Sequence, residues 1–139
     1  EMLRSLVGSE MCIRDRSNSS AQELLAGMLK KPLFVVLRKP RDLSRLAELL
    51  EAHLMWAIVA EKRGELFASG PFVSAHASPG ELGGMSILRA ADEAEALRIV
   101  QADPFIANGL YDVEIRKWLL MEGGLTVHVS FSDQRYSLL

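Results

Sequence analysis

His53 and Asp103 are the residues of this chain whose side chains reach furthest into chemistry. A histidine ordinarily titrates near neutrality, so it can both take and give a proton under cellular conditions. A carboxylate bonded to one ring nitrogen fixes the tautomer and leaves the other nitrogen for a substrate. Each residue also has a plainer reading. His53 falls on an apolar helical stripe, where a core histidine bonded to a carbonyl fits equally well. Asp103 precedes Pro104, a setting in which aspartate commonly bonds its own local backbone to form a turn. Ser69 stands beside Gly70-Pro71 and offers a hydroxyl donor to a substrate carbonyl or carboxylate, although turn chemistry accounts for it as well. No Gly-x-Ser-x-Gly elbow is present, so Ser69, His53 and Asp103 do not read as a hydrolase triad.

The other two histidines add little. His76 lies in a Gly/Pro-rich loop and reads as solvated, with folding over a pocket mouth as the alternative. His128 alternates with Val127 and Val129, which assigns it to an exposed face or a subunit contact. Spacings that put histidines and carboxylates together on a metal-binding helix are absent, so neither a metal nor another cofactor is expected. Gly80, Gly83 and Gly84 lead into a strand, whereas phosphate-binding loops open a helix, so no nucleotide site is indicated.

The elements that must position these residues follow from periodicity. Asn18-Ser19-Ser20 can cap a short helix over 21–29, ended by Pro32. Leu33 to Leu37 is continuously apolar and rich in β formers, which predicts a strand covered on both faces. Arg38 to Asp42 reads as a polar turn, and Leu43 to Arg63 as the longest helix, stopped by Gly64. Its main stripe is Leu43, Leu46, Leu50, His53, Leu54, Ala57 and Ile58. A second apolar stripe, through Leu49, Ala52, Trp56, Val59 and Ala60, predicts cover from the N-terminal helix or another subunit. Strands follow at 65–69 and 85–89. A helix over 93–101 is capped by Asp92, a turn begins at Asp103-Pro104-Phe105, and further strands occupy 111–118 and 125–131. Between the ends the order is strand, helix, strand, strand, helix, strand. This predicts an α+β, ferredoxin-like domain with a four-stranded antiparallel sheet and both helices on one face. The expected extras are one N-terminal helix (18–32) and one C-terminal strand (119–139). The doubly apolar first strand then predicts a partner sheet over the open face, most simply in a homodimer.

Composition limits the functions available. The chain has 139 residues, with 16 Lys and Arg against 18 Asp and Glu and a net charge of -2. No basic run exceeds Lys30-Lys31, which argues against nucleic acid as a partner. No apolar stretch approaches the ~20 residues needed to span a bilayer, so a cytoplasmic protein is expected. Trp56 and Trp118 are assigned to packing and subunit contact. Glu1 to Ser17 shows no periodicity and is expected outside the fold. Ser5 to Arg16 resembles translated sequencing-adaptor read-through, with a natural disordered tail as the alternative; that segment holds the sole cysteine, Cys12.

His53, Ser69-Gly70-Pro71-Phe72 and Asp103-Pro104-Phe105, in this order, resemble the YciI-like family, whose members adopt a dimeric α+β barrel fold. The resemblance spans 33–118. It implies that His53 and Asp103 form an active-site dyad, with Ser69, Gly70, Pro71 and Phe105 contributing to substrate binding. Relatives on this fold include muconolactone isomerases and dehydrochlorinases of hydroxylated aromatics, which implies proton-transfer chemistry of isomerase or lyase type on a small molecule. The competing expectation is a non-catalytic ligand-binding or protein-interaction module, and a pocket joining His53 to Asp103 would separate the two. A haem-using or oxygen-using barrel is less favoured, since no histidine sits where an axial ligand is expected.

Overall fold

The computed structural model describes residues 18–138, so the reading of Glu1 to Ser17 lies outside the described residues. The element order is α1 (Asn18–Ala26), β1 (Lys31–Pro40), α2 (Leu46–Lys62), β2 (Leu66–Pro71), β3 (Gly84–Leu88), α3 (Glu93–Gln101), α4 (Pro104–Ala107), β4 (Tyr111–Leu120), β5 (Val127–Ser130) and β6 (Arg135–Leu138). Two units divide the described chain: Lys31–Leu120, and residues 18–30 with 121–138.

In the larger unit four strands form an antiparallel sheet in the order β2-β3-β1-β4. Alternation along β1 sends Phe34, Val36 and Arg38 to one face and Leu33, Val35 and Leu37 to the other. Phe34 and Val36 meet Leu66 of β2 and Leu88 of β3, and the layer above them holds Ala60 of α2 and Ala96, Ile99 and Val100 of α3. Both long helices therefore cover the same face, the arrangement that the element order predicts. None of Leu33 to Leu37 is exposed, as a continuous apolar run requires.

Several boundaries differ from the sequence reading, each for a physical reason. β1 runs on through Arg38 to Pro40 because β4 pairs with it along its whole length, from Lys31↔Leu120 to Pro40↔Tyr111. The polar turn expected at Arg38 is thus strand, and Arg38 is buried. α2 begins three residues late: the Asp42 carboxylate accepts bonds from the Ser44 backbone N–H at 3.1 Å and the Ser44 hydroxyl at 2.7 Å, which holds 42–44 in a turn. Gly64, at φ +79°, stops α2 as expected. The two apolar stripes of α2 also resort. Leu49, Trp56 and Ala60 pack into the domain's own core, so the expected cover from elsewhere is not what they meet. Leu50, Leu54 and Ile58 of the expected main stripe are exposed.

The Asp92 side chain caps α3 by accepting the Glu95 N–H at 2.8 Å, while Glu95 takes the Ala91 N–H at 2.8 Å. The Asp103-Pro104-Phe105 turn contains a one-turn helix, α4, with Pro104 at its first position.

In the smaller unit α1 ends at Ala26 rather than near Pro32, and the Leu29 N–H bonds the Met121 carbonyl at 3.1 Å. The single C-terminal strand expected is a hairpin, β5 with β6, turning at Gln134 in the left-handed region (φ +56°). Asp133 accepts the Arg135 N–H at 3.1 Å across that turn. The sequence reading missed β6 because its four residues are too short to show a period.

Leu88 is wholly buried at the centre of the core whereas Leu97 of α3 is 37% exposed. Leu88→Ala is expected to cost roughly 2–5 kcal/mol in urea unfolding, and Leu97→Ala about 1 kcal/mol or less.

Candidate functional site

Asp103 is fully buried at the point where α3 gives way to α4. Its Oδ1 accepts the Phe105 backbone N–H at 3.0 Å, capping α4, and stands 2.8 Å from Nδ1 of His53 in the middle of α2. The same oxygen therefore anchors the helix start and the imidazole. Phe105 then stacks on the other side of the arrangement, its ring 4.1 Å from the His53 ring and within 9° of parallel. Nδ1 is occupied by Asp103, and no group among the described residues takes Nε2. The ring lines a cavity of about 560 Å³.

Apolar side chains make most of that cavity's wall, among them Leu46, Leu50, Leu54, Ile58 and Phe67, together with Pro71. Leu50, Leu54 and Ile58 are exposed for this reason: the expected core stripe of α2 is in part a pocket wall. Ser69, Gly70, Pro71 and Phe105 line the same cavity as His53. Asp103 lies behind His53 and reaches the cavity only through it. His76 is exposed in the β2–β3 loop and His128 is exposed in the smaller unit; neither lines the cavity.

Three polar residues of the site were not singled out from the sequence. Arg38, 6% exposed, extends from β1 beneath the cavity. One of its Nη atoms donates to Ser86 Oγ and, at 3.5 Å, to Ser69 Oγ; the other donates to the Gly70 carbonyl at 3.2 Å. Ser69 and Ser86 are cross-strand partners on β2 and β3, and their hydroxyl oxygens are 2.8 Å apart. Burial pushes the Arg38 guanidinium below its usual range, opposed by the field of Asp103 and then of Tyr111. Tyr111 opens β4, donates its hydroxyl to the Gly80 carbonyl at 2.7 Å and also lines the cavity. Its phenol is raised by burial, against the opposing pull of Arg38.

A signal for Arg38 was present in Gly83-Gly84. Gly84 sits opposite Arg38 in the β1–β3 register, and a Cβ there would run into the guanidinium and the Gly70 carbonyl. A Cβ on Gly83, at φ +76°, would overlap the Arg38 carbonyl. Gly84 thus makes room for the buried cation, and Gly83 for the backbone that carries it. Among the described residues no group of three His, Cys, Asp or Glu side chains stands close enough to hold a metal ion, and no helix is long and apolar enough to cross a membrane.

Residues 32–119 match the YCII-related domain. No curated protein matches the chain. Among solved structures it is similar to the 5-chloro-2-hydroxyhydroquinone dehydrochlorinase of Burkholderia phenoliruptrix AC1100, in complex with 2,5-dihydroxybenzoquinone. That likeness carries 25% identity and a TM-score of 0.50 over 62% of this chain and 92% of the other.

Asp103 holds both a helix cap and an imidazole, and the two roles separate by substitution. Asp103→Asn keeps an oxygen for the Phe105 N–H, so urea unfolding should show little loss from the cap. Asp103→Ala should cost roughly 1–2 kcal/mol from the cap alone.

Proposed function

We propose, from the premise that this chain belongs to the YCII-related domain family, that it is a small-molecule enzyme of lyase or isomerase type in which His53 moves the proton. The observation that carries this reading is the 2.8 Å contact between His53 and a fully buried Asp103, on an imidazole that opens onto an apolar cavity. A ligand-binding module has no need to hold one tautomer of a histidine against a buried carboxylate. An acid/base catalyst does, because the proton must enter and leave at a single nitrogen.

The similar solved structure is a dehydrochlorinase, which favours elimination as the reaction. For a hydroxylated, conjugated substrate the steps balance without a co-reactant. The O–H proton passes to Nε2 of His53. The electron pair left on oxygen becomes a carbon–oxygen double bond and shifts the conjugated pairs along the skeleton. The shifted pair takes a proton at the chlorine-bearing ring carbon, which becomes saturated. A second hydroxyl then gives up its proton, its oxygen pair becomes a second carbon–oxygen double bond, and the adjacent ring pair moves to the chlorine-bearing carbon. Chloride leaves with the C–Cl pair, so the net loss is HCl. Asp103 supports the imidazolium formed in the first step, and Phe105 keeps the ring plane fixed by stacking. Gly70 and Pro71 bring backbone close to the cavity, where they serve as binding surface.

The test is chloride release from 5-chloro-2-hydroxyhydroquinone. The wild-type chain is expected to release chloride, and His53→Ala to lower kcat/KM by ~100-fold or more. Asp103→Asn should retain fold and lose rate. Unchanged turnover in folded His53→Ala removes the histidine from the proposed role, and no release by the wild type removes dehydrochlorination.

We also propose that a second copy covers the sheet face turned away from the helices. Val35 and Leu37 of β1 register with Ile87 and Met85 of β3 on that face, and Met85 and Trp118 remain 36% and 39% exposed. Apolar side chains on a sheet face favour cover by a partner. Sedimentation at micromolar concentration should give a dimer; monomer alone would refute it.

A further inference from the structure

The β5–β6 hairpin sorts its side chains by face. Val127 registers with Leu138 and Val129 with Tyr136, whereas His128 registers with Ser137 and Ser130 with Arg135. Residues directly opposite share a face and successive residues alternate, so the first four side chains make one surface and the last four the other. One face is therefore apolar, interrupted only by the Tyr136 hydroxyl, and carries no charge. The opposite face is polar and holds the Arg135 cation.

The apolar face is bare. Its four strand residues are between 51% and 75% exposed, Leu125 and Phe131 beside them are exposed as well, and no residue of β5 or β6 is buried. Leu24 and Leu25 of α1, the helix of the same unit, are themselves exposed, so α1 does not supply a covering layer. A two-stranded hairpin with nothing packed on it is marginally stable at best in water. Strict alternation with one apolar side is the pattern of strands whose one face is covered.

Charge and area indicate what covers it. A partner with a charged surface finds no counter-charge here and would have to give up water without compensation. A second copy of the same face brings apolar side chains to apolar side chains, and a two-fold axis presents the same residues from both sides. The strand residues with Leu125 and Phe131 offer on the order of 500–700 Å² per copy. Two copies together then bury ~1,000–1,400 Å², the size at which a specific interface holds.

We propose that the C-terminal hairpin is a self-association surface, its apolar face packed on the same face of a second copy as a small two-layered sandwich. The contact lies in residues 121–138, outside the matched 32–119, and does not depend on the cover proposed for the sheet of the larger unit.

Sedimentation of the full chain over a dilution series measures the contact. A Trp118→Lys background, which charges the sheet face of the larger unit, keeps the two proposed contacts apart and is expected still to associate. In that background Val129→Lys charges the apolar face of the hairpin and should weaken association by about 10-fold or more, the equivalent of about 1.4 kcal/mol. His128→Lys puts the same charge on the adjacent residue of the opposite face and should leave association within about threefold. The larger unit has its own core, so circular dichroism should show all these variants folded.

Photo-oxidative tyrosine coupling of the wild-type chain locates the contact. The chain has two tyrosines, and Tyr111 is buried, so a dityrosine-linked dimer reports Tyr136 meeting Tyr136. Two rungs span only about 7 Å along the strands and 5 Å across them, which puts Tyr136 within side-chain reach of its copy about an axis through the patch. The link is expected in the wild type and lost in Val129→Lys. Monomer throughout in Trp118→Lys would overturn the proposal, as would unchanged association in Val129→Lys, the result if another protein or the chain itself covers the face. Equal loss in both hairpin lysine variants would do the same, since the hairpin's integrity and not its apolar face would then be what matters. An associated wild type without the dityrosine link would remove the hairpin-to-hairpin arrangement.

Discussion

A carboxyl group with no access to water must find its compensation within the protein, and Asp103 finds it in three places. The Phe105 N–H and the His53 ring share one oxygen, and the Arg38 cation acts through space. Because Oδ1 serves both neighbours, the start of α4 and the orientation of the imidazole are one constraint. Pro104 fixes the backbone at the first helical position, and Phe105, next along, supplies both the capped N–H and the ring stacked on His53. Three consecutive residues thus deliver the acid, the rigid corner and a wall of the cavity. Asp103 Oδ2 has no hydrogen-bond partner among the described residues, which leaves the carboxyl group's second oxygen dependent on the field of its surroundings.

The second constraint is steric. A guanidinium reaching under the cavity from β1 needs a neighbouring strand without a side chain at the crossing point, and Gly84 supplies that gap. Gly83 permits the left-handed turn by which the long β2–β3 loop re-enters the sheet, with its carbonyl accepting the Phe72 N–H at 2.9 Å. From the other side Tyr111 ties the loop down at Gly80, where a Cβ would press on both the phenol oxygen and Leu46. The loop that closes the cavity's edge is thereby held by β1, β4 and α2.

These constraints explain which parts of the molecule were legible in the sequence. Element types in the domain followed from local pattern: Leu33 to Leu37 reads as a covered strand because apolar residues are continuous, and Asp92 reads as a cap because Glu95 lies three residues on. His53, Ser69 and Asp103 could be singled out because their types and motif company carry chemistry. Arg38 could not, since a cation beside Lys39-Pro40 looks like a solvated turn, and only pairing with the neighbouring strands β3 and β4 carries the strand through it. Ser86 was silent for a related reason: its importance lies in a cross-strand neighbour, and registers are not written in one strand alone. The stripes of α2 misled in the same way. Leu50, Leu54 and Ile58 are apolar with helical spacing whether they meet a core or a cavity.

The division of the site between helix and sheet bears on selectivity. His53 sits on α2, while Arg38, Ser69 and Ser86 come from β1, β2 and β3, so helix and sheet bring different polar groups to the site. On the proposed reading a ligand with a conjugated skeleton and a suitably placed oxygen engages both. A purely apolar ligand of the same shape fills the cavity but offers no hydrogen-bond partner to the polar groups of its wall. Apolar contact alone discriminates weakly, since one methylene changes binding by only ~1–3 kcal/mol, whereas unpaired buried polar groups reject an otherwise fitting ligand far more strongly. On that reading the polar end of this cavity, more than its larger apolar wall, decides the choice of substrate.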